Sequence, residues 1–280
     1  MTLFTYERPS KGVPCAQWDT LRGLHPRPGR NGRRARKRGI VTVILASKYW
    51  ATERFGYSPG VVMASDQSVT FRGYFKSHGQ LLKFAFLAPG WRGLLTGDPD
   101  RAGDIIRHVG PTFASDPQTI ASVEEIAKAC CGAFVAIPAQ NADQTVNFLV
   151  CGVSAGEPHL LTIEDPGVST RRSTPFWADG YGDTLALHAL GSASQGIDLY
   201  STIYRVCAAK FEAESAEYVD KFTSLSWIDS TGSERPVSDK IISQLRDVWE
   251  ASKKYPKQAD EILRTEFPEF AATPLSGQTT

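Results

Sequence analysis

At 280 residues the chain is long enough for one large domain or two small ones, and it can bury a sizeable core. Its hydrophobic content of 41%, charged content of 22% and net charge of +1 are ordinary for a soluble globular protein and single out no class of partner. It lacks both a run of about eighteen apolar residues and the basic-then-apolar order of a secretory signal, so we expect a cytoplasmic protein with no membrane partner.

The cysteine and histidine residues predict neither a disulfide framework nor a metal site. Five cysteines is an odd number, and no two of them have CxxC spacing. The five histidines are scattered and form no ligand pair at helical spacing. We therefore expect reduced thiols, as in a cytoplasm, and no bound metal or other cofactor.

Residues 1–41 differ in composition from the remainder. They contain few apolar residues and a run of basic ones, 30–38, which predicts a disordered arm. Three interpretations stay open. The arm binds nucleic acid or an acidic partner, or it is a propeptide, or translation begins near Val41. The last two are favoured jointly, so nucleic acid is not an expected partner.

Two β-branched runs, 40–45 and 61–70, predict an antiparallel hairpin, because a turn rich in Gly, Pro and Ser joins them. Asp66 lies towards the end of the second run. Lys83 follows inside the apolar run 81–87. Burying an ammonium group is costly unless an acid lies near, so Lys83 is expected to pair with Asp66.

The rest of the chain predicts separate runs of helices and strands. Pro99 begins a helix with Asp98 as its N-cap, and Gly110-Pro111 ends it. Ser122 and Glu125 form a capping box for a helix that extends from Val123 to about Val135. Further strands are expected at 146–152, 159–164, 174–178 and 222–229, and further helices at 184–190, 197–214 and 241–249. Segregated strand and helix runs indicate an α+β fold.

The order and spacing of several motifs are similar to those of the proteasome β-subunit family and its bacterial relatives, which are N-terminal-nucleophile (Ntn) hydrolases. The motifs are 42–46, 60–70, Lys83-Phe84, 93–98, 148–152 and 160–167. The resemblance covers 42 to about 228, which is most of the chain. It implies a four-layer αββα sandwich, two antiparallel sheets between helical layers, over 42–232, with a C-terminal helical tail at 233–280.

The resemblance also implies a threonine-type peptidase that hydrolyses peptide bonds through an acyl-enzyme ester. Thr42 would be the nucleophile and the first residue of the mature chain, so that its own amine takes the hydroxyl proton. Lys83 would stabilise negative charge on the hydroxyl oxygen, and Asp66 would hold Lys83. The backbone N–H of Gly97 would form the oxyanion hole.

The partners that the resemblance implies are a peptide or protein substrate, identical subunits in a ring, and an ATP-dependent unfoldase. Two other functions stay open. The chain is a non-catalytic subunit that acts in assembly or binding, as proteasome α-subunits do, or it is an Ntn amidohydrolase that acts on small amides.

The sequence before the nucleophile departs from the family's pattern. Val41 precedes Thr42, whereas self-processing members have Gly at that position. An alternative register places Gly39 at the cleavage position and Ile40 at the nucleophile position, which would make the protein inactive. Thr42 is preferred because Ala46 then falls where the family has a small residue.

Residues that support the terminal amine also differ from the pattern. The family's Gly-Ser-Gly matches either 180–182, with Tyr181 at the serine position, or 191–193, which restores the serine. The family also has an acid near its last helix that supports the terminal amine. Glu214 and Glu217 are the candidates for this acid.

Overall fold

Two antiparallel sheets form the centre of the structure, a computed structural model that describes residues 43–50, 58–66, 69–71, 75–77, 84–113, 119–192, 198–216 and 219–252. The strands of the described residues are β1 (Val43–Tyr49), β2 (Gly60–Asp66), β3 (Val69–Phe71), β4 (Phe75–Ser77), β5 (Phe84–Ala88), β6 (Trp91–Gly97), β7 (Val146–Ser154), β8 (Glu157–Glu164), β9 (Val168–Arg171), β10 (Phe176–Gly180), β11 (Thr223–Ile228) and β12 (Glu234–Pro236). The helices are α1 (Pro99–Phe113), α2 (Val123–Ala136), α3 (Asp183–Ser192), α4 (Leu199–Ala213) and α5 (Asp239–Ser252).

Each large sheet has five strands. The first sheet has the order β10-β1-β2-β11-β12, and the second has the order β5-β6-β7-β8-β9. Strands β3 and β4 form a separate two-stranded ribbon. All of these pairings are antiparallel, so the α+β class expected from the sequence is confirmed.

The predicted hairpin is confirmed in its pairing. Strands β1 and β2 pair from Tyr49 opposite Gly60 to Ile44 opposite Ser65. The second β-branched run is divided, because β2 ends at Asp66 and β3 begins at Val69.

The start of α2 and the end of α1 test the helix signals. The predicted capping box is confirmed: the Ser122 hydroxyl accepts from the Glu125 N–H at 3.2 Å, and the Glu125 carboxylate accepts from the Ser122 N–H at 2.8 Å. The predicted end of α1 is wrong, because the helix continues through Pro111 to Phe113. Proline keeps a helical φ, and although it removes the hydrogen bond to the Arg107 carbonyl and crowds that group, the cost is confined to the last two turns of the helix.

Strand alternation divides the apolar residues of β1 between two cores. Ile44 and Ala46 lie in a cluster that joins the two sheets, whereas Val43 and Leu45 lie in a cluster with the helices on the other face. The inter-sheet cluster also contains Val61, Met63, Leu94, Leu149, Cys151, Val153, Leu160 and Ile228.

Helices cover the outer face of each sheet. Side chains of α3, α4 and α5 pack on the first sheet, including Ala186, Leu190, Ile203, Val206, Cys207, Ile242 and Leu245. Side chains of α1 and α2 pack on the second sheet, including Ala102, Ile105, Val109, Ile126, Cys130 and Phe134. Burying each large apolar side chain contributes about 1.5–3 kcal/mol, so these clusters supply most of the force that holds helices to sheets. No helix within the described ranges is long and apolar enough to cross a membrane.

The segment after residue 232 joins the same core. Strand β12 pairs with β11, from Ser226 opposite Pro236 to Ile228 opposite Glu234. Helix α5 buries Ile242 and Leu245 against the first sheet's helical cluster. The amphipathic helix expected in this segment is therefore present and packed.

His159 is a buried titratable residue on the outer face of the second sheet. Its ring lies nearly parallel to that of Trp91, with centroids 6.1 Å apart, and Arg171 Nη2 lies 2.9 Å from its Nδ1. Arginine can only donate, so Nδ1 is the acceptor and the imidazole is neutral in this arrangement. Burial lowers the pKa of His159, and the charges of Arg171 and Lys48 lower it further.

We expect His159 to make the protein less stable as the pH falls below about 6.5. The pKa of His159 is lower in the folded than in the unfolded chain, so the unfolded chain binds the proton more tightly. Stability is therefore lost as the pH falls from the unfolded pKa to the folded pKa. Urea denaturation at pH 7.5, 6.5 and 5.5 should show a shallower decline for His159→Gln than for the parent. The control is His188→Gln, in which the decline should have the same slope as in the parent. An unchanged slope in His159→Gln would contradict the expectation.

Candidate active site

Asp66 is fully buried at the end of β2, where the sequence places the acid of the candidate site. It follows Ser65, the partner of Ile44, and it pairs with Thr223 of β11. Its Oδ1 accepts from the Val43 N–H at 3.4 Å, and its Oδ2 accepts from the Asp220 N–H at 3.5 Å. The acid therefore contacts the residue that follows Thr42 in the chain.

Thr42 and Lys83 both lie outside the described residues, and their contact with Asp66 stays a prediction. Phe84, which follows Lys83, lines a cavity of about 310 Å³ together with Thr223, the partner of Asp66. The described end of β5 thus lies beside the strand that pairs with the acid.

Strand alternation constrains the geometry of this candidate site. Val62 and Ala64 of β2 face the helices, so Asp66 belongs to the helical face of its sheet. Ile44 and Ala46 of β1 lie between the sheets. An unbroken alternation would put position 42 on the inter-sheet face too, away from the side chain of Asp66.

Lys210 is a buried ammonium group whose charge acts on Asp66. It is fully buried on α4, and its Nζ donates to Glu214 Oε1 at 2.7 Å and to the Asp220 carbonyl at 2.6 Å. Burial lowers the pKa of Lys210, while the carboxylates of Glu214 and Asp66 act to raise it. Sequence reasoning missed this residue, although a lysine on the apolar stripe of a helix with an acid four residues later was a visible signal.

Glu214, one of the two candidates for the supporting acid, belongs to the same network. Arg246 of α5 binds it through two hydrogen bonds, of 2.6 and 2.8 Å, and also donates to the Lys221 carbonyl at 2.8 Å. The other candidate, Glu217, lies outside the described residues. Glu214 therefore joins α4 to α5 rather than standing alone beside the site.

Gly97 ends β6 and has a φ of +98°, which favours glycine. A Cβ built at this position would lie 2.0 Å from the Thr145 carbonyl oxygen. Close backbone packing thus accounts for glycine here, whether or not its N–H also serves as an oxyanion donor. The oxyanion role stays a prediction.

Thr96 links Gly97 to the region where β1 begins. Its Oγ1 donates to Asp179 Oδ2 at 2.5 Å, and Asn147 Nδ2 donates to the same oxygen at 3.2 Å. Asp179 pairs with Ile44 across the β10–β1 ladder. Gly97 therefore lies at the end of the two sheets where β1 starts.

The register favours 180–182 over 191–193 as the glycine-flanked segment beside the site. Gly180 lies directly opposite Val43. Gly191 lies in the last turn of α3, at the other end of that helix from Gly182. About nine residues of helix separate them, or roughly 13 Å at 1.5 Å per residue.

Two thiols and the metal-ligating side chains are further candidate groups in the described part of the chain. Burial raises the pKa of both Cys130 and Cys207 to about 12, so neither thiol is a nucleophile near neutral pH. No group of three or more His, Cys, Asp or Glu side chains among the described residues is arranged to hold a metal ion.

No protein-family model matches the chain, and no curated protein matches it. The functional assignment therefore depends on the fold and on the groups around the start of β1.

Proposed function

We propose that the protein is a threonine-type peptidase of the proteasome-like group, with Thr42 as its N-terminal nucleophile. The observation that carries the proposal lies at the start of β1, where Gly180 is opposite Val43, the Val43 N–H donates to Asp66, and Asp66 pairs with Thr223. An acid and the glycine-flanked segment 180–182 thus adjoin the residue after Thr42, and the end of β6 is tied to Asp179, which lies opposite Ile44. The resemblance to Ntn hydrolases requires an acid and a glycine-flanked segment beside the nucleophile. Because an unbroken alternation would turn residue 42 away from Asp66, the proposal also requires the strand pattern to break at that residue.

The arrangement of helices and sheets supports the same proposal. One cluster joins the two sheets, and separate clusters join each outer face to its own helices. This agrees with the αββα order of an Ntn-hydrolase sandwich, which we include in the proposal together with a cytoplasmic location.

In the proposed mechanism the amine of Thr42 takes the proton of the Thr42 hydroxyl as the oxygen attacks the substrate carbonyl. Lys83, held by Asp66, stabilises the charge that develops on the attacking oxygen. The N–H of Gly97 stabilises the oxyanion. The amine then protonates the leaving nitrogen, and water hydrolyses the resulting ester.

Mass spectrometry of the natively expressed protein, combined with fluorogenic peptide hydrolysis, tests this proposal. We expect a mature N-terminus at Thr42 and a fall in kcat/KM of about 10³-fold or more in Thr42→Ala, since the nucleophile is lost. Thr184→Ala, on α3, is the matched control and should keep full activity. Hydrolysis by a protein that retains Met1, or by Thr42→Ala, would contradict the proposal.

The proposal includes a homo-oligomeric ring that encloses the sites, a peptide or protein substrate and an ATP-dependent unfoldase as partner. Light scattering on the purified protein tests the ring, and a strict monomer would count against it. Activity on small amides without activity on peptides would identify an Ntn amidohydrolase instead.

A non-catalytic subunit that acts in assembly or binding is the second candidate. It is favoured by the described contacts of Asp66, which involve two backbone N–H groups and a buried lysine network. Such contacts stabilise a fold without any substrate. A folded ring that hydrolyses neither peptides nor small amides would support this candidate.

A further inference from the structure

Asp220, in the loop before β11, has both of its backbone polar groups held by buried side chains. Its N–H donates to Asp66 Oδ2 at 3.5 Å, and its carbonyl accepts from Lys210 Nζ at 2.6 Å. Its own carboxylate accepts from the Phe222 N–H at 3.2 Å. Asp66 and Lys210 therefore fix this loop from two sides.

The same acid reaches the start of β1. Asp66 Oδ1 accepts from the Val43 N–H, which belongs to the peptide bond that joins Val43 to Thr42. A peptide unit is planar and includes the Cα atoms of both residues. Whatever fixes this N–H therefore also fixes the direction in which the chain leaves towards Thr42.

Distances show which contacts are strong. The two N–H contacts of Asp66, at 3.4 and 3.5 Å, are long for hydrogen bonds, whereas those of Lys210 are 2.6 and 2.7 Å. The two hydrogen bonds of Lys210 are therefore shorter and stronger than the two N–H contacts of Asp66.

Charge balance leads to the same conclusion. The positive charges of Lys210 and Arg246 lie beside Glu214, and the charge of Lys210 also acts on Asp66. Loss of the ammonium of Lys210 would leave both carboxylates with less compensating charge in a buried setting. A buried carboxylate that loses a nearby opposite charge is less stable in its buried position.

We propose that Lys210 is a positioning residue for the N-terminal nucleophile. It holds the Asp220 carbonyl, the Asp220 N–H donates to Asp66, and Asp66 in turn accepts from the N–H of the peptide bond between Thr42 and Val43. This inference rests on the proposed function, since it assigns Thr42 as the residue that is positioned. Lys210 itself acts through Asp66 and not on the substrate.

The test compares Lys210→Met, which keeps the length of the side chain without its charge, with Lys210→Arg, which keeps the charge. Lys128→Met, on the exposed face of α2, is the matched control. Amide hydrogen exchange is followed by NMR on protein that carries isotope-labelled valine, aspartate and leucine. In Lys210→Met we expect exchange at Val43 and Asp220 to rise about tenfold, with Leu149 of the second sheet unchanged.

Kinetics supply the second readout. In Lys210→Met we expect kcat to fall about 10–10²-fold while KM changes less than about twofold, since a misplaced nucleophile affects the reaction more than binding. Lys210→Arg should recover part of both the exchange protection and kcat. If Lys210→Met does not fold, Lys210→Gln replaces it and the same selective rise in exchange is expected.

Two results would overturn the inference. One is unchanged exchange at Val43, and the other is a rise spread evenly over both sheets, which would mark Lys210 as a purely structural residue. If the parent protein hydrolyses no peptide, the proposed function fails, whereas the exchange experiment still decides whether Lys210 holds the start of β1.

Discussion

Arg101→Met is expected to lower the free energy of unfolding by about 3 kcal/mol, because it removes the donor of a buried ion pair. Arg101 is 5% exposed on α1, and its guanidinium binds both carboxylate oxygens of Asp165, at 2.5 and 2.7 Å. It also donates to the carbonyls of Ile137 and Gln144, each at 2.9 Å. Asp165 is about a fifth exposed, so water recovers part of the loss and the lower end of the usual range applies.

Arg107→Met is the matched control for this substitution. Arg107 lies on the same helix and pairs with Asp104, but its side chain is 73% exposed. Exposed pairs contribute little, so we expect a change within about 0.5 kcal/mol. Urea denaturation of the parent and both variants measures the difference. Equal effects of the two substitutions would contradict the structural role of the Arg101–Asp165 pair.

Gly97→Ala is expected to destabilise the protein by about 2–4 kcal/mol. The positive φ of +98° costs an L-residue about 1–2 kcal/mol, and the Cβ would lie 2.0 Å from the Thr145 carbonyl oxygen. That atom is backbone between α2 and β7, so it can move only if the end of the β6–β7 ladder opens. Thermal and urea unfolding would measure the loss.

Gly132→Ala controls for the general effect of replacing glycine. Gly132 lies inside α2, and a Cβ at that position would meet nothing within 4 Å. Alanine there should stabilise the protein by about 0.5–1 kcal/mol, which is the opposite sign. If Gly97→Ala were tolerated as well as Gly132→Ala, the result would contradict the close packing at the end of β6. A loss of activity in Gly97→Ala alone would not establish an oxyanion role.

Local signals in the sequence predicted much of the fold. The capping box at Ser122 and Glu125 marked the start of α2, and the turn-rich segment between two β-branched runs marked the β1–β2 hairpin. These signals work because capping and alternation depend on neighbours in the chain. Strand β9 was missed, because its four residues are all exposed and show no apolar alternation. It exists because a turn returns the chain to pair with β8.

Long-range pairs in the candidate site were not predictable in the same way. The sequence identified Asp66 as an acid of the candidate site, but not its link through Asp220 to Lys210, which lies far along the chain on α4. Arg246 reaches the same network from α5. Such partners depend on how helices are placed over a sheet, and residue spacing in one sequence does not report that placement.

Strand β12 has a further bearing on how the oligomeric state is measured. Although only three residues long, it covers the outer edge of β11. A shortened protein that stops before it would expose the backbone donors and acceptors of β11, which are a template for pairing with another molecule. Association of such a truncated protein would result from the exposed edge of β11 and not from the oligomeric state of the full chain. Sizing experiments should therefore use protein that extends at least through Ser252, where α5 ends.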